Sequence, residues 1–151
     1  MNQAARFFST LFYVGYFPKA PGTIGSLFSL LLAVPLILFG GLYVFVALLI
    51  IATIIGFWSA EVYRKEIDKE DPKEVVIDEL VGQWMVVLFI NPTIWWHWLL
   101  AFGLFRLFDI IKPFPVDYLD KNIKGGAGIM LDDIAAAIMA IITLEICFWI
   151  I

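Results

Sequence analysis

Three stretches of this 151-residue chain place carboxylates in strongly apolar surroundings. Asp78 and Glu79 lie in Val75-Val-Ile-Asp-Glu-Leu-Val-Gly82, and Asp109 lies in Phe105-Arg-Leu-Phe-Asp-Ile-Ile-Lys-Pro113. Asp132 and Asp133 follow Gly125-Gly-Ala-Gly-Ile-Met-Leu131. An ionised carboxylate near hydrocarbon costs about 2.5–3.5 kcal/mol on insertion scales, so such acids are by default paired, hydrated or functional. Five of them converging from separate segments would repel one another unless a cation sat among them. Hard oxygen donors without a histidine or cysteine cluster suit Mg²⁺ or a similar ion. Magnesium uses few protein carboxylates and keeps positions for water and phosphate, which points to phosphoryl transfer.

A phosphate also needs donors. Arg106, Asp109 and Lys112 are spaced i, i+3, i+6, and a continuous helix would put them on one stripe with two cations beside a carboxylate. Pro21-Gly-Thr-Ile-Gly-Ser26 leads into an apolar run, and amides around Thr23, Gly25 and Ser26 at a helix N-terminus would favour an anion. Gly82, four residues after Asp78, allows close helix packing on that face.

Each feature has a plainer reading. Asp132 alone can be an N-cap, Arg106 with Asp109 a structural ion pair, and Gly22 with Gly25 a simple turn. The polar run Glu61–Glu74 reads as a solvated face outside the chemistry. His97 reads as structural, with Glu145 as a conceivable partner. Cys147 is the only cysteine; it reads as a packing thiol, and no cysteine nucleophile with a downstream arginine loop is present.

The elements that must carry these residues are helices in a membrane. Hydrophobic residues make up 62% of the chain, charged residues 16%, and mean hydropathy is +0.93. A water-facing surface cannot be covered with so little charge, and the apolar residues come in long runs. The expectation is an all-α, polytopic membrane protein of about five spans, forming a single membrane-embedded domain over residues 1–151. The spans read as Ile24–Phe39, Leu42–Ala60, Val75–Ile90, Ile94–Ile111 and Asp132–Ile151, with a tight turn at Gly40-Gly41 and a glycine-rich turn over Lys124–Gly128. Residues 1–17 read as an amphipathic helix at the interface or docked on the bundle. No cleavage site follows the first apolar stretch, so a cleaved signal peptide is a poor reading.

Orientation follows from Lys and Arg. With Gly40-Gly41, Asn91-Pro92-Thr93 and the C-terminus on one side, all ten basic residues fall on or toward the other, which is thereby cytoplasmic. The topology is N-in, C-out, with Trp95, Trp96 and Trp98 in an outer aromatic belt. Net charge is −4 with no basic run, which argues against nucleic acid as a partner. A cation transporter or channel subunit using the same acids is the alternative from another class. It predicts ionisable residues through the depth of the bilayer, whereas here they crowd at one end. A phosphodiester-forming lipid transferase would need a spaced aspartate motif that is absent, and a non-catalytic assembly subunit leaves the acids unexplained.

Four blocks together resemble the phosphatidylglycerophosphatase A family of bacterial membrane lipid phosphatases. They are Pro21-Gly-Thr-Ile-Gly-Ser-Leu27, Val76-Ile-Asp-Glu-Leu-Val-Gly82, Phe105-Arg-Leu-Phe-Asp-Ile-Ile-Lys-Pro-Phe-Pro115 and Gly125-Gly-Ala-Gly-Ile-Met-Leu-Asp-Asp-Ile134. They stand in the family's order; one departure is Ala136-Ala137 where the family usually has Ala-Gly. The resemblance implies Mg²⁺-dependent hydrolysis of phosphatidylglycerophosphate to phosphatidylglycerol, a step of phospholipid biosynthesis. It also implies a bacterial cytoplasmic membrane, a site facing the cytoplasm and a lipid substrate held in the bilayer. On that basis Glu79, Asp132 and Asp133 are expected to hold the metal, and Asp78 or Asp109 to orient or deprotonate the attacking water. Thr23, Gly25, Ser26, Arg106 and Lys112 are expected to hold the phosphate.

Overall fold

The structure, a computed structural model, describes residues 2–150. The fold is all-α, and no strand occurs among the described residues. In chain order the helices are α1 (Gln3–Ser9), α2 (Pro21–Pro35), α3 (Gly41–Glu66), α4 (Ile77–Val87), α5 (Trp95–Ile111), α6 (Val116–Asn122) and α7 (Gly125–Ile150).

α4 organises the rest. Of its eleven residues, all but Asp78 and Met85 are buried. It packs against both α2 and α3. Trp84 donates its indole N–H to the Ser29 carbonyl of α2 at 2.8 Å and packs its ring on Phe45 of α3 at 5.0 Å. On its other face Gly82 lets the Phe105 ring of α5 sit directly against the α4 backbone, where a Cβ would collide with it. α7 closes the bundle with a row of small buried residues, Ala135, Ala136, Ala137 and Ala140, which permits close helix approach. The Ala136-Ala137 departure therefore falls on fully buried packing positions.

Several sequence expectations are revised. Among the described residues two stretches are long and apolar enough to cross a bilayer, residues 21–66 and Gly125–Ile150. The first contains the first two expected spans, joined through Leu36–Gly40, with Gly41 at φ +76° making the turn. The expected third span is the eleven-residue α4, which rises about 16 Å against a hydrocarbon core of about 30 Å. The expected fourth is the seventeen-residue α5, rising about 25 Å. Burial inside protein, rather than lipid contact, accounts for the apolar character of α4.

The last helix begins at Gly125, seven residues before the expected start; its expected end, Ile151, lies outside the described residues. The glycines that suggested a turn are its first turn. Gly126 sits against the Glu61 backbone of α3 and donates its N–H to the Glu61 carboxylate at 2.7 Å. The N-terminal helix is shorter than expected, ending at Ser9. Leu11, Phe12 and Tyr13 then adopt positive φ, and the segment docks back on the bundle, where the Ser9 carbonyl accepts the Val76 N–H at 2.9 Å.

Candidate active site

Asp78 and Glu79 start α4, Asp109 ends α5, and Asp132 and Asp133 lie two turns into α7. All five line one cavity of about 300 Å³. Its wall is completed by Pro21 and Gly22 of α2, by the segment 70–75 that precedes α4, and by Lys112, Asp120 and Lys124. Gly22 is required there for its bareness: a Cβ would run into the Glu79 carboxylate. Gly25, one turn on, faces Val76, which a Cβ would meet at 2.9 Å. Both glycines serve the close approach of α2 to α4.

Two basic side chains organise three of the five acids. Arg106 Nη1 donates to both oxygens of Glu79 at 2.5 Å and to Asp109 Oδ2 at 2.8 Å. Arg106 Nη2 reaches Thr23 Oγ1 at 3.4 Å, while its Nε is buried without a partner. Ser26, fully buried, donates its hydroxyl to Glu79 Oε2. Lys112 Nζ donates to Asp132 Oδ2 at 2.6 Å and Asp120 Oδ1 at 2.7 Å. Partial burial alone would lower the Lys112 pKa, but the hydrogen bonds to the two carboxylates outweigh it and raise the value. The same contact holds Asp120 below the usual carboxylate range.

Asp78 and Asp133 have no basic partner among the described residues. Asp78 Oδ1 accepts the Glu79 N–H at 2.9 Å. Asp133 is 3% exposed, and its Oδ2 is buried with no hydrogen bond. A buried carboxylate oxygen left bare is costly, and an orphan of this kind calls for an ion or water.

A metal ion is not the only relief for the crowding of these acids. Arg106 and Lys112 supply two positive charges of their own, so the repulsion is partly met by protein. Among the described residues no three acidic, histidine or cysteine side chains stand close enough to hold a metal as they are. The donor set nevertheless fits a hard divalent ion. It is all oxygen, it leaves one buried carboxylate oxygen unsatisfied, and Mg²⁺ needs only one or two protein carboxylates with water completing its shell.

Of the residues expected to hold phosphate, only Lys112 lines the cavity. Thr23, Gly25 and Ser26 belong to the first turns of α2 rather than to a loop before it, and Arg106 stands behind Glu79 and Asp109. The anticipated Arg106–Asp109–Lys112 stripe is broken because α5 stops at Ile111, ahead of Pro113. Lys112 takes φ +47° and swings toward α6 and α7. The ion-pair reading of Arg106 with Asp109 holds, extended to Glu79.

Sequence reasoning missed Asp71, Lys73, Asp120 and Lys124, all on the cavity wall. Asp71 and Lys73 fall in the run read as solvated, and a charged run abutting the Val75–Gly82 block was the available signal. His97 does not pair with Glu145. Its Nδ1 accepts the Asn91 N–H at 3.1 Å and its ring stacks on Phe148 at 4.2 Å, while Glu145 is exposed. Cys147 is a free, half-buried thiol.

The phosphatidylglycerophosphatase A family profile matches residues 7–148. Phosphatidylglycerophosphatase A of Haemophilus influenzae is 39% identical over 137 residues, covering 89% of this chain and 83% of its own. That of Escherichia coli is 34% identical over 130 residues, covering 83% and 73%. A putative phosphatidylinositol-3-phosphatase of Bacteroides thetaiotaomicron is 36% identical over 148 residues, covering 94% and 92%. No solved structure matches the chain.

Proposed function

The chain belongs to the phosphatidylglycerophosphatase A family, a family of lipid phosphatases, and on that premise we propose that it hydrolyses the terminal phosphomonoester of phosphatidylglycerophosphate. The observation that carries this reading is the convergence of Asp78, Glu79, Asp109, Asp132 and Asp133 on one cavity. We place the reaction at the cytoplasmic face of the bacterial inner membrane, N-in and C-out, in phospholipid biosynthesis. That topology puts all ten basic residues, and every acid but Glu145, on or toward the cytoplasmic side, and leaves the acyl chains in the bilayer. The two long apolar stretches fit a membrane setting. The further spans belong to this proposal, α5 crossing most of the core and α4 entering part-way.

In this reading Asp133 and Asp78, the two acids without a basic partner among the described residues, would hold Mg²⁺ with Asp132 beside them, a role for Asp78 different from the water-handling one expected from the resemblance. The ion would supply charge neutralisation on the phosphoryl oxygens and help to activate water. Glu79, expected to be a ligand, is committed to Arg106 and Ser26 and instead fixes α2, α4 and α5 around the cavity. Asp109 is held by Arg106 through Oδ2, which leaves its other oxygen without a partner among the described residues. From there it orients the attacking water and takes its proton. Water oxygen bonds to phosphorus as the phosphorus–glyceryl oxygen bond breaks. Inorganic phosphate leaves, and the proton taken by Asp109 is returned through solvent to the glyceryl oxygen.

Comparable identity to the putative phosphatidylinositol-3-phosphatase favours testing a second headgroup. The test is phosphate release by the purified chain from vesicles containing phosphatidylglycerophosphate or phosphatidylinositol 3-phosphate, with and without chelator. Chelator-sensitive release from the first supports the proposal. Release from the second alone reassigns the substrate, and release from neither defeats the enzyme reading. The cation-transporter alternative gains no support, since none of the relatives named above is a transporter.

A further inference from the structure

Eight acidic residues line the cavity against three lysines, an excess that repels a phosphate dianion. A divalent ion offsets part of it, and the substrate still needs donors of its own. Arg106 cannot serve: it does not line the cavity and is locked on Glu79 and Asp109. Lys112 lines it but already bonds two carboxylates. The two remaining lysines are differently placed. Lys73 makes no ion pair among the described residues, and the one polar contact of the Lys124 ammonium is the Asp120 carbonyl at 3.4 Å. Both are exposed, so their heads are hydrated and free to turn inward.

They also come from different segments of the wall. Lys73 is on the segment leading into α4, five residues before Asp78, and Lys124 immediately precedes α7, whose first residue Gly125 is itself on the wall. The positive end of the α7 dipole adds to the same field.

We propose that Lys73 and Lys124 form the phosphate-binding subsite of this cavity, holding the headgroup phosphate oxygens between the α4 approach and the start of α7. The proposal rests on the lipid-phosphatase reading for its substrate, but its geometry requires only a phosphate ligand. Ammonium groups make charge-assisted hydrogen bonds to phosphate oxygens. Being exposed and outside the buried ion pairs, these two can be removed without unpairing any carboxylate.

The test is binding of inorganic phosphate to the full chain in detergent with Mg²⁺ present, by calorimetry, alongside phosphate release from phosphatidylglycerophosphate. Lys73→Ala with Lys124→Ala is expected to weaken phosphate binding at least tenfold and raise KM at least tenfold. kcat should stay within threefold and the melting temperature should not change. Arginine at both positions is expected to restore binding. Phosphate binding weakened less than threefold in the double variant, or no phosphate binding by the wild-type chain, overturns the proposal. A wild-type chain that binds phosphate but does not hydrolyse the lipid defeats the functional reading, while the binding comparison still decides the subsite.

Discussion

Arg106→Met separates two roles that the sequence left open for this residue. The Arg106 and Glu79 side chains are 12% and 8% exposed and meet at 2.5 Å, and the same guanidinium holds Asp109 at 2.8 Å. Removing one member of a buried ion pair leaves an uncompensated charge and costs about 3–5 kcal/mol. For a chain of this size each kcal/mol moves the melting temperature by roughly 2–4 °C, so the variant should melt about 6–20 °C lower. Glu79→Gln on that background removes one of the two stranded charges and should recover part of the loss, a coupling of at least about 1 kcal/mol. Tryptophan fluorescence during thermal unfolding in detergent reads both variants. If Arg106→Met melts within about 2 °C of wild type while KM rises more than tenfold, Arg106 binds phosphate and the positioning argument is wrong.

Four further outcomes follow from the geometry. Gly22→Ala drives a Cβ into the Glu79 carboxylate and is expected to destabilise by about 1–3 kcal/mol; an unchanged melting temperature would mean that α2 and α4 stand further apart. Asp133→Asn is expected to weaken Mn²⁺ binding, followed by electron paramagnetic resonance, at least tenfold, and equal affinity would remove Asp133 from the ion site. Because Lys112 holds the Asp120 pKa below its ordinary value, Asp120 contributes stability above the unfolded-state value near 3.8 and loses it as pH falls through the folded-state value. Asp120→Asn should therefore lose stability at neutral pH and show a shallower acid limb in thermal melts. Glu145→Gln should change neither stability nor turnover, since His97 is satisfied by Asn91 and Phe148; a loss beyond about 0.5 kcal/mol would contradict that.

Part of the site was legible because isolated acids in apolar runs leave few options, and Asp78, Glu79, Asp109, Asp132 and Asp133 all line one cavity. What hydropathy could not resolve was the solvent of each helix. Val75–Ile90 is as apolar as a span, yet α4 is greasy because protein surrounds it. The Arg106–Lys112 stripe assumed that periodicity continued to Lys112, and α5 ends one residue too soon for it. The glycines at 125–128 suggested a turn by propensity, which the contact with Glu61 overrides. Residues 70–74 read as solvated because charge signals water, but a hydrated cavity wall carries the same composition as a solvated loop.

The most direct test of the central claim is the rate of phosphate release from phosphatidylglycerophosphate by Asp78→Asn and Asp133→Asn, each measured beside wild type. Both should fall at least 100-fold while folding cooperatively. Turnover within about twofold of wild type in either would show that the α4 and α7 acids do not act together on one phosphate.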